Sequence, residues 1–111
     1  DLEKMQKAAS YLIGEHDFKS FCTVRTQAEE TVRTLYDISV DRGTDDIITI
    51  RLKGSGFLYN MVRILAGTLC EAGAGRLAPE AVPGILASCD RKNAGPTLAA
   101  KGLFLKSVDY D

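Results

Sequence analysis

The sequence predicts an α+β domain, an antiparallel sheet with helices packed on one face, in the order α-β-β-α-α-β. Three observations carry this. Thr31–Val40 and Ile47–Lys53 alternate apolar and polar residues with a period of two, on either side of the turn-rich Asp41–Asp46 (DRGTDD). Gly54–Cys70 (GSGFLYNMVRILAGTLC) is then an apolar run of helical length. The chain has 111 residues, 45% hydrophobic and 26% charged, which suits one compact domain with a single core.

Asp1–Ile13 places Leu2, Met5, Ala8, Ala9 and Leu12 at helical spacing, and Gly14 is expected to end that helix. Glu15–Thr26 reads as a loop anchored by Phe18 and Phe21, and Ala28–Glu30 as a poor strand former. In the first strand, Thr31–Val40, the residues Val32, Thr34, Tyr36, Ile38 and Val40 share a face. The second, Ile47–Lys53, puts Ile48, Ile50 and Leu52 on one face and Arg51 and Lys53 on the other. The two strands form an antiparallel hairpin, and cations on its second face suit RNA as well as plain solvent. Gly54 and Gly56 break the strand, a helix covers Phe57–Ala72, and Gly73–Gly75 stops it. Pro79–Cys89 is the next helix, with Pro79 in the first turn, where a missing N–H is tolerated. Asp90–Pro96 is a polar loop, and Leu103–Tyr110 alternates as the closing strand.

Several function classes are excluded or disfavoured. The net charge of −1 gives no overall attraction to nucleic acid. Arg25, Arg33, Arg51, Lys53, Arg91, Lys92, Lys101 and Lys106 are unevenly spread, which leaves room for a local basic cleft. No apolar run reaches the roughly 18 residues that a membrane span needs, because Arg63 interrupts the longest. Cys22, Cys70 and Cys89 lack C-x-x-C spacing, so neither a zinc site nor a redox motif is expected; reduced, buried thiols in a cytoplasmic protein are the simplest reading. Asp1–Lys7 is charged and helical in pattern, unlike a signal peptide, and the chain opens inside an amphipathic pattern as a piece of a longer protein would. His16 is the only histidine and has no motif around it, which favours a loop or capping role over nucleophilic catalysis. Gly73–Gly75 lacks the pattern of a phosphate-binding loop.

Arg63 stands apart as the one charged residue between Lys53 and Glu71. A guanidinium cannot escape burial by losing its proton, and burying it unpaired would cost several kcal/mol, roughly. Its partner must come from elsewhere in the chain, from another chain or from a bound anion, unless the head group snorkels to solvent over the apolar surface. On a helical wheel its neighbours are Tyr59, Ala66, Gly67 and Cys70, and the small Ala66 and Gly67 leave room beside its stem. The pattern alone favours neither alternative.

Gly56–Gly67, GFLYNMVRILAG, resembles the signature helix of the tRNA pseudouridine synthase A family, F-L-x-x-M-V-R-x-x-x-G. Leu12–Phe21, LIGEHDFKSF, is similar to the family's L-x-G-x-H/N-D-F-x-S-F segment, and Thr31–Val40 resembles its T-V-R-x-(I/L) strand. Gly95–Tyr110, GPTLAAKGLFLKSVDY, is similar to its closing G-x-T-x-x-A-x-G-L-x-L-x-x-V-x-Y strand, with Ala99 where many members have proline. The resemblance covers nearly the whole chain, in order. It implies isomerisation of uridine to pseudouridine in the anticodon arm of tRNA, by a homodimer that needs no metal or organic cofactor. Carried over residue by residue, Arg63 matches an active-site arginine that pairs with the catalytic aspartate and keeps it ionised. Leu103 matches a leucine that packs against the reacting nucleoside, with a strand-core role equally open. The family's aspartate lies in an R-T-D-x-G-V-H-A motif that this chain does not contain. The resemblance therefore implies the C-terminal half of a synthase, inactive alone, with tRNA and its own N-terminal domain as partners. An RNA-binding module that leaves its RNA unaltered, or a structural or dimerisation domain, are the readings from other classes; an upstream R-T-D-x-G-V-H-A motif would decide against the first, and sedimentation would speak to the second.

Overall fold

The fold is that of a computed structural model, which describes residues 1–23, 30–44, 48–97 and the backbone of 108–110. In chain order come α1 (Leu2–Ser10), β1 (Gly14–Asp17), a 3₁₀ turn (Lys19–Phe21), β2 (Val32–Arg42), β3 (Ile48–Gly54) and α2 (Met61–Gly73). A 3₁₀ turn (Pro79–Ala81) leads into α3 (Val82–Ser88), a third such turn covers Arg91–Asn93, and β4 (Val108–Tyr110) closes the order. The strands make one sheet, β1-β2-β3-β4. The α+β class and the central antiparallel hairpin are as the sequence predicts, with Ile38 opposite Leu52 and Val40 opposite Ile50.

The helices and the sheet share one core. Leu35, Ile38, Val40 and Leu52 face inward from the sheet; Met5, Ala8 and Leu12 meet them from α1 and its C-terminal turn, and Met61, Ile64, Leu65 and Leu69 from α2. α1 packs on both β2 and α2. Its N-terminus is capped by Asp1, whose carboxylate accepts from the Glu3 and Lys4 N–H groups. Phe18 and Phe21 are fully buried, as expected of anchors, with ring centroids 6.3 Å apart.

Three features depart from the sequence reading. First, α1 ends at Ser10, and Gly14, at φ +110, opens a strand instead of stopping the helix. Glu15–Asp17, read as loop, pairs antiparallel with β2, His16 opposite Arg33. Second, the face predicted for β2 changes phase at a bulge between Leu35 and Asp37. The extra residue lets Leu35 join Ile38 and Val40 inside, while Val32 and Tyr36 are 42% and 44% exposed. Third, β4 runs parallel to β3. A parallel pair needs a long crossover, and α2 and α3 supply it. The remainder of the predicted closing strand, 103–107, lies outside the described residues, as do 28 and 29 of the poor strand former.

Lys7 ties α1 to the Pro79–Ala81 turn, its Nζ 2.8 Å from Glu80 Oε1. The hydrogen bond from Lys7 holds the Glu80 carboxyl below its ordinary value, and Lys7 is raised in return. A carboxyl that titrates lower when folded stabilises above its unfolded value of about 4.3 and loses that contribution as pH falls through the folded value. Lys7 sets the upper limit, because its contribution is lost as pH rises through its raised folded value. In the full-length protein, Glu80→Gln is expected to lower the thermal midpoint slightly at pH 7, the pair being exposed. The difference from wild type should shrink as pH falls through the lowered folded value of Glu80; one that stays undiminished in acid contradicts the account.

Candidate active site at the head of α2

The site lies where β3 turns into α2. Gly54 ends β3 where a side chain has no room, since a Cβ would stand 2.9 Å from the Thr34 carbonyl oxygen and 3.0 Å from Leu35 Cδ2. The Ser55 N–H donates to that same carbonyl at 2.9 Å, and the Thr34 N–H donates to Ser55 Oγ at 3.0 Å, which stitches the turn to β2. Gly56 then runs against the Arg33 side chain, itself paired with Glu30 at 3.1 Å. Leu58 and Met61 enter the core, and Tyr59 between them is 49% exposed.

α2 begins at Met61, later than the predicted Phe57, because Asn60 adopts left-handed backbone, φ +62, which no regular helix contains. The Asn60 side chain makes no cap. Its Oδ1 accepts from Arg63 Nη1 at 3.2 Å, and its Nδ2 donates to Thr23 Oγ1 at 3.2 Å. The Thr23 N–H donates to the Tyr59 carbonyl at 3.0 Å. Arg63 is half-buried, on the flank of a helix whose buried face is Met61, Ile64, Leu65, Thr68, Leu69 and Ala72. The Arg63 side chain is partly covered, and its guanidinium reaches back to Asn60 at the helix start. A permanently charged, forked donor beside the positive end of a helix dipole favours an anionic oxygen, carboxylate or phosphate.

Gly67, one turn further along, does not serve as space for the Arg63 stem. A Cβ there would stand 1.8 Å from the Pro96 carbonyl oxygen, so its place is taken by the chain at 95–97. Gly95 reciprocates, with its own hypothetical Cβ 2.7 Å from the Thr68 Cα and N. The Gly95 N–H donates to Thr68 Oγ1 at 2.9 Å, and that buried hydroxyl donates to the Ile64 carbonyl at 2.8 Å. Residues Gly95 and Pro96 are therefore pinned to the helix that carries Arg63. Leu103 itself, with Ala99, Arg25, Lys101 and Lys106, lies outside the described residues.

The remaining candidates take structural places. His16 sits on β1, its Nε2 2.9 Å from the Ile13 carbonyl oxygen and its ring edge-on to Phe18. Asp17 accepts from Thr31 Oγ1 at 2.5 Å and from the Lys19 N–H at 3.1 Å, and Asp90 caps the Arg91–Asn93 turn. Cys22 is buried as expected, whereas Cys70 is exposed and Cys89 intermediate; all three are free thiols. Burial, then the neighbouring Asp17 carboxylate, push the Cys89 thiol up, away from the reactive thiolate. The outer face of the sheet is not a basic stripe, because Asp37 lies opposite Lys53 and Asp41 is two residues from Ser39, the partner of Arg51. Lys19 and Arg91 do converge, on an open cleft shared with Thr23, Cys89 and Asp90.

Asn60 and Thr23 were not singled out in the sequence, whereas Gly95 is the first glycine of the closing motif. Of the two, only Asn60 carries a local signal: asparagine is enriched in left-handed backbone, and it directly precedes Met61, where the helix begins. Among the described residues no helix is long and apolar enough to cross a membrane, and no group of three or more His, Cys, Asp or Glu could hold a metal ion.

A family model described as tRNA pseudouridine synthase matches residues 8–111. The chain is 51% identical over 110 residues to tRNA pseudouridine synthase A of Brevibacillus brevis, covering 99% of this chain and 45% of that protein. It is 47% identical over 111 residues to the protein of the same name from Bacillus subtilis, covering 100% of this chain and 44% of the relative. With that of Acetivibrio thermocellus it shares 47% identity over 110 residues, 99% of this chain and 45% of the relative. The chain thus spans somewhat less than half the length of these relatives.

Proposed function

The chain belongs to the tRNA pseudouridine synthase family, and we propose that it forms the half of such an enzyme whose Arg63 clamps a catalytic aspartate carried on the other half and whose Leu103 lines the reacting nucleoside. The observation that carries this reading is the placement of Arg63, half-buried at the head of α2 with its guanidinium oriented by Asn60. A carboxylate docked there would be held by charge-assisted hydrogen bonds and kept ionised at neutral pH. In this reading the carboxylate comes from the N-terminal domain of the same polypeptide, on an R-T-D-x-G-V-H-A motif, and Leu103 packs against the nucleoside.

The aspartate attacks the target nucleoside, the C1′–N1 bond breaks, the uracil rotates, and a C1′–C5 bond forms. C5 gives up its hydrogen and N1 gains one, so the base is isomerised without net gain or loss. No metal or organic cofactor is called for. The target uridine lies in the anticodon arm of tRNA and must leave its stack, at a cost of a few kcal/mol, roughly. The full-length protein acts as a homodimer in the cytoplasm.

Tritium at uridine C5 reports this chemistry, because forming the C1′–C5 bond releases it to water. Full-length protein incubated with a tRNA transcript carrying that label is expected to release tritium; the 111-residue chain alone is expected to release none above buffer. Failure of the full-length protein overturns the activity. Release by the chain alone overturns the placement of the nucleophile outside it.

A further inference from the structure

An arginine carries many rotamers, and a catalytic contact is only as good as the geometry in which it is held. Asn60 holds one end of Arg63, and three observations set it apart from an ordinary helix start. It adopts φ +62, left-handed backbone, where a residue at the head of a helix is ordinarily extended. Its side chain forgoes the capping bond to the helix N–H groups for which asparagine at this position is favoured. The amide is spent instead on a bridge, Oδ1 to Arg63 and Nδ2 to Thr23.

The chemistry of the groups fixes the direction of that bridge. A guanidinium only donates, so the amide oxygen must face Arg63, and the amide nitrogen then needs an acceptor. Thr23 Oγ1 supplies it at 3.2 Å. Thr23 is itself located by its N–H on the Tyr59 carbonyl and follows the buried Phe21 and Cys22. The bridge therefore runs from a core-anchored segment, through Asn60, to the guanidinium.

We propose that Asn60 is a positioning residue, which through its side-chain amide orients the Arg63 guanidinium for the reaction, with Thr23 orienting Asn60 in turn. This rests on the assignment of Arg63 made above. Asn60→Gly is the discriminating variant in the full-length protein, because glycine keeps the left-handed backbone and removes only the amide. The ¹⁵N relaxation of Arg63 Nε–H should report a well-ordered side chain in wild type and a mobile one in Asn60→Gly. kcat for tritium release should fall about 10- to 100-fold, with KM for tRNA changed less than about 2-fold, since remote misplacement acts on the chemical step. In an Arg63→Ala background the same substitution should change the rate by less than about 2-fold, because the two residues act as one unit. Thr23→Val, which keeps Asn60 and breaks only the far hydrogen bond, should move order and rate in the same direction by less, and serves if the glycine variant folds poorly.

An Arg63 side chain as ordered in both variants as in wild type overturns the inference, and so does an effect of Asn60→Gly that adds fully to that of Arg63→Ala. Loss of activity in Arg63→Ala beside an unaltered Asn60→Gly rate sinks this inference alone. A near wild-type rate in Arg63→Ala sinks the assignment of Arg63 and with it the catalytic part of this one, while the relaxation measurement still decides whether Asn60 holds the side chain.

Discussion

Arg63→Ala in the full-length protein is expected to lower tritium release from C5-labelled tRNA by about 10³-fold or more while leaving the protein folded; loss of one preorganised electrostatic donor alone costs about 10²–10³. The larger figure follows because two effects are removed together. In the proposed site, removing the guanidinium would take from the catalytic carboxylate its forked partner, and also the nearby positive charge that would keep it ionised. Folding should survive, because Arg63 lies half-buried on the flank of α2 while the core is built by Met61, Ile64, Leu65 and Leu69 on another face. Removing a half-buried charge also removes its desolvation penalty. Arg63→Lys separates the two effects. Lysine restores the charge as a point, without the planar fork, so a partial recovery, to within about 10- to 100-fold of wild type, is expected if geometry matters beyond charge. A near wild-type rate in Arg63→Ala would overturn the assignment of Arg63 to the active site.

The parts of the fold legible in the sequence are those written in short-range pattern. The β2–β3 hairpin shows in two alternating runs around DRGTDD, and α2 in an apolar run closed by glycine. β1 was hidden because Gly14–Asp17 has no apolar alternation of its own; it is a strand only because β2 offers it a ladder. The bulge at Leu35–Asp37 was hidden because no local residue marks an inserted position, and its effect is to exchange which apolar residues face the core. The parallel direction of β4 follows from where α2 and α3 deliver the chain, a property of packing and not of residues 108–110. At the site, Arg63 was conspicuous because a lone charge in an apolar run demands an account. Its companions were not: Thr23 and Asn60 are 37 residues apart in the chain, and the left-handed preference of asparagine marks a backbone conformation, not a side-chain partner.

The contact between Gly67 and Pro96 gives the second large effect, and here the sign is the test. In an exposed helix, replacing glycine by alanine stabilises by about 0.5–1 kcal/mol, because glycine loses more backbone freedom on folding. Gly84, in α3, has no atom within 4 Å of where its Cβ would lie, so Gly84→Ala should follow that rule and raise the unfolding midpoint. Gly67→Ala should do the reverse. Its Cβ would stand 1.8 Å from a backbone carbonyl oxygen, which no rotamer change can relieve. The 95–97 chain would have to lift from α2, giving up the hydrogen bond from the Gly95 N–H to Thr68 Oγ1 and leaving that buried hydroxyl one partner short. Overpacking of this kind costs about 1–3 kcal/mol, and the lost hydrogen bond about 1 kcal/mol beyond it, so a net destabilisation of about 1–3.5 kcal/mol remains after the helix-propensity gain. Denaturant unfolding of the two full-length variants beside wild type reads both signs in one experiment. Two stabilised variants would mean that 95–97 is not seated on α2, and the link between the helix of Arg63 and residues Gly95 and Pro96 would go with it.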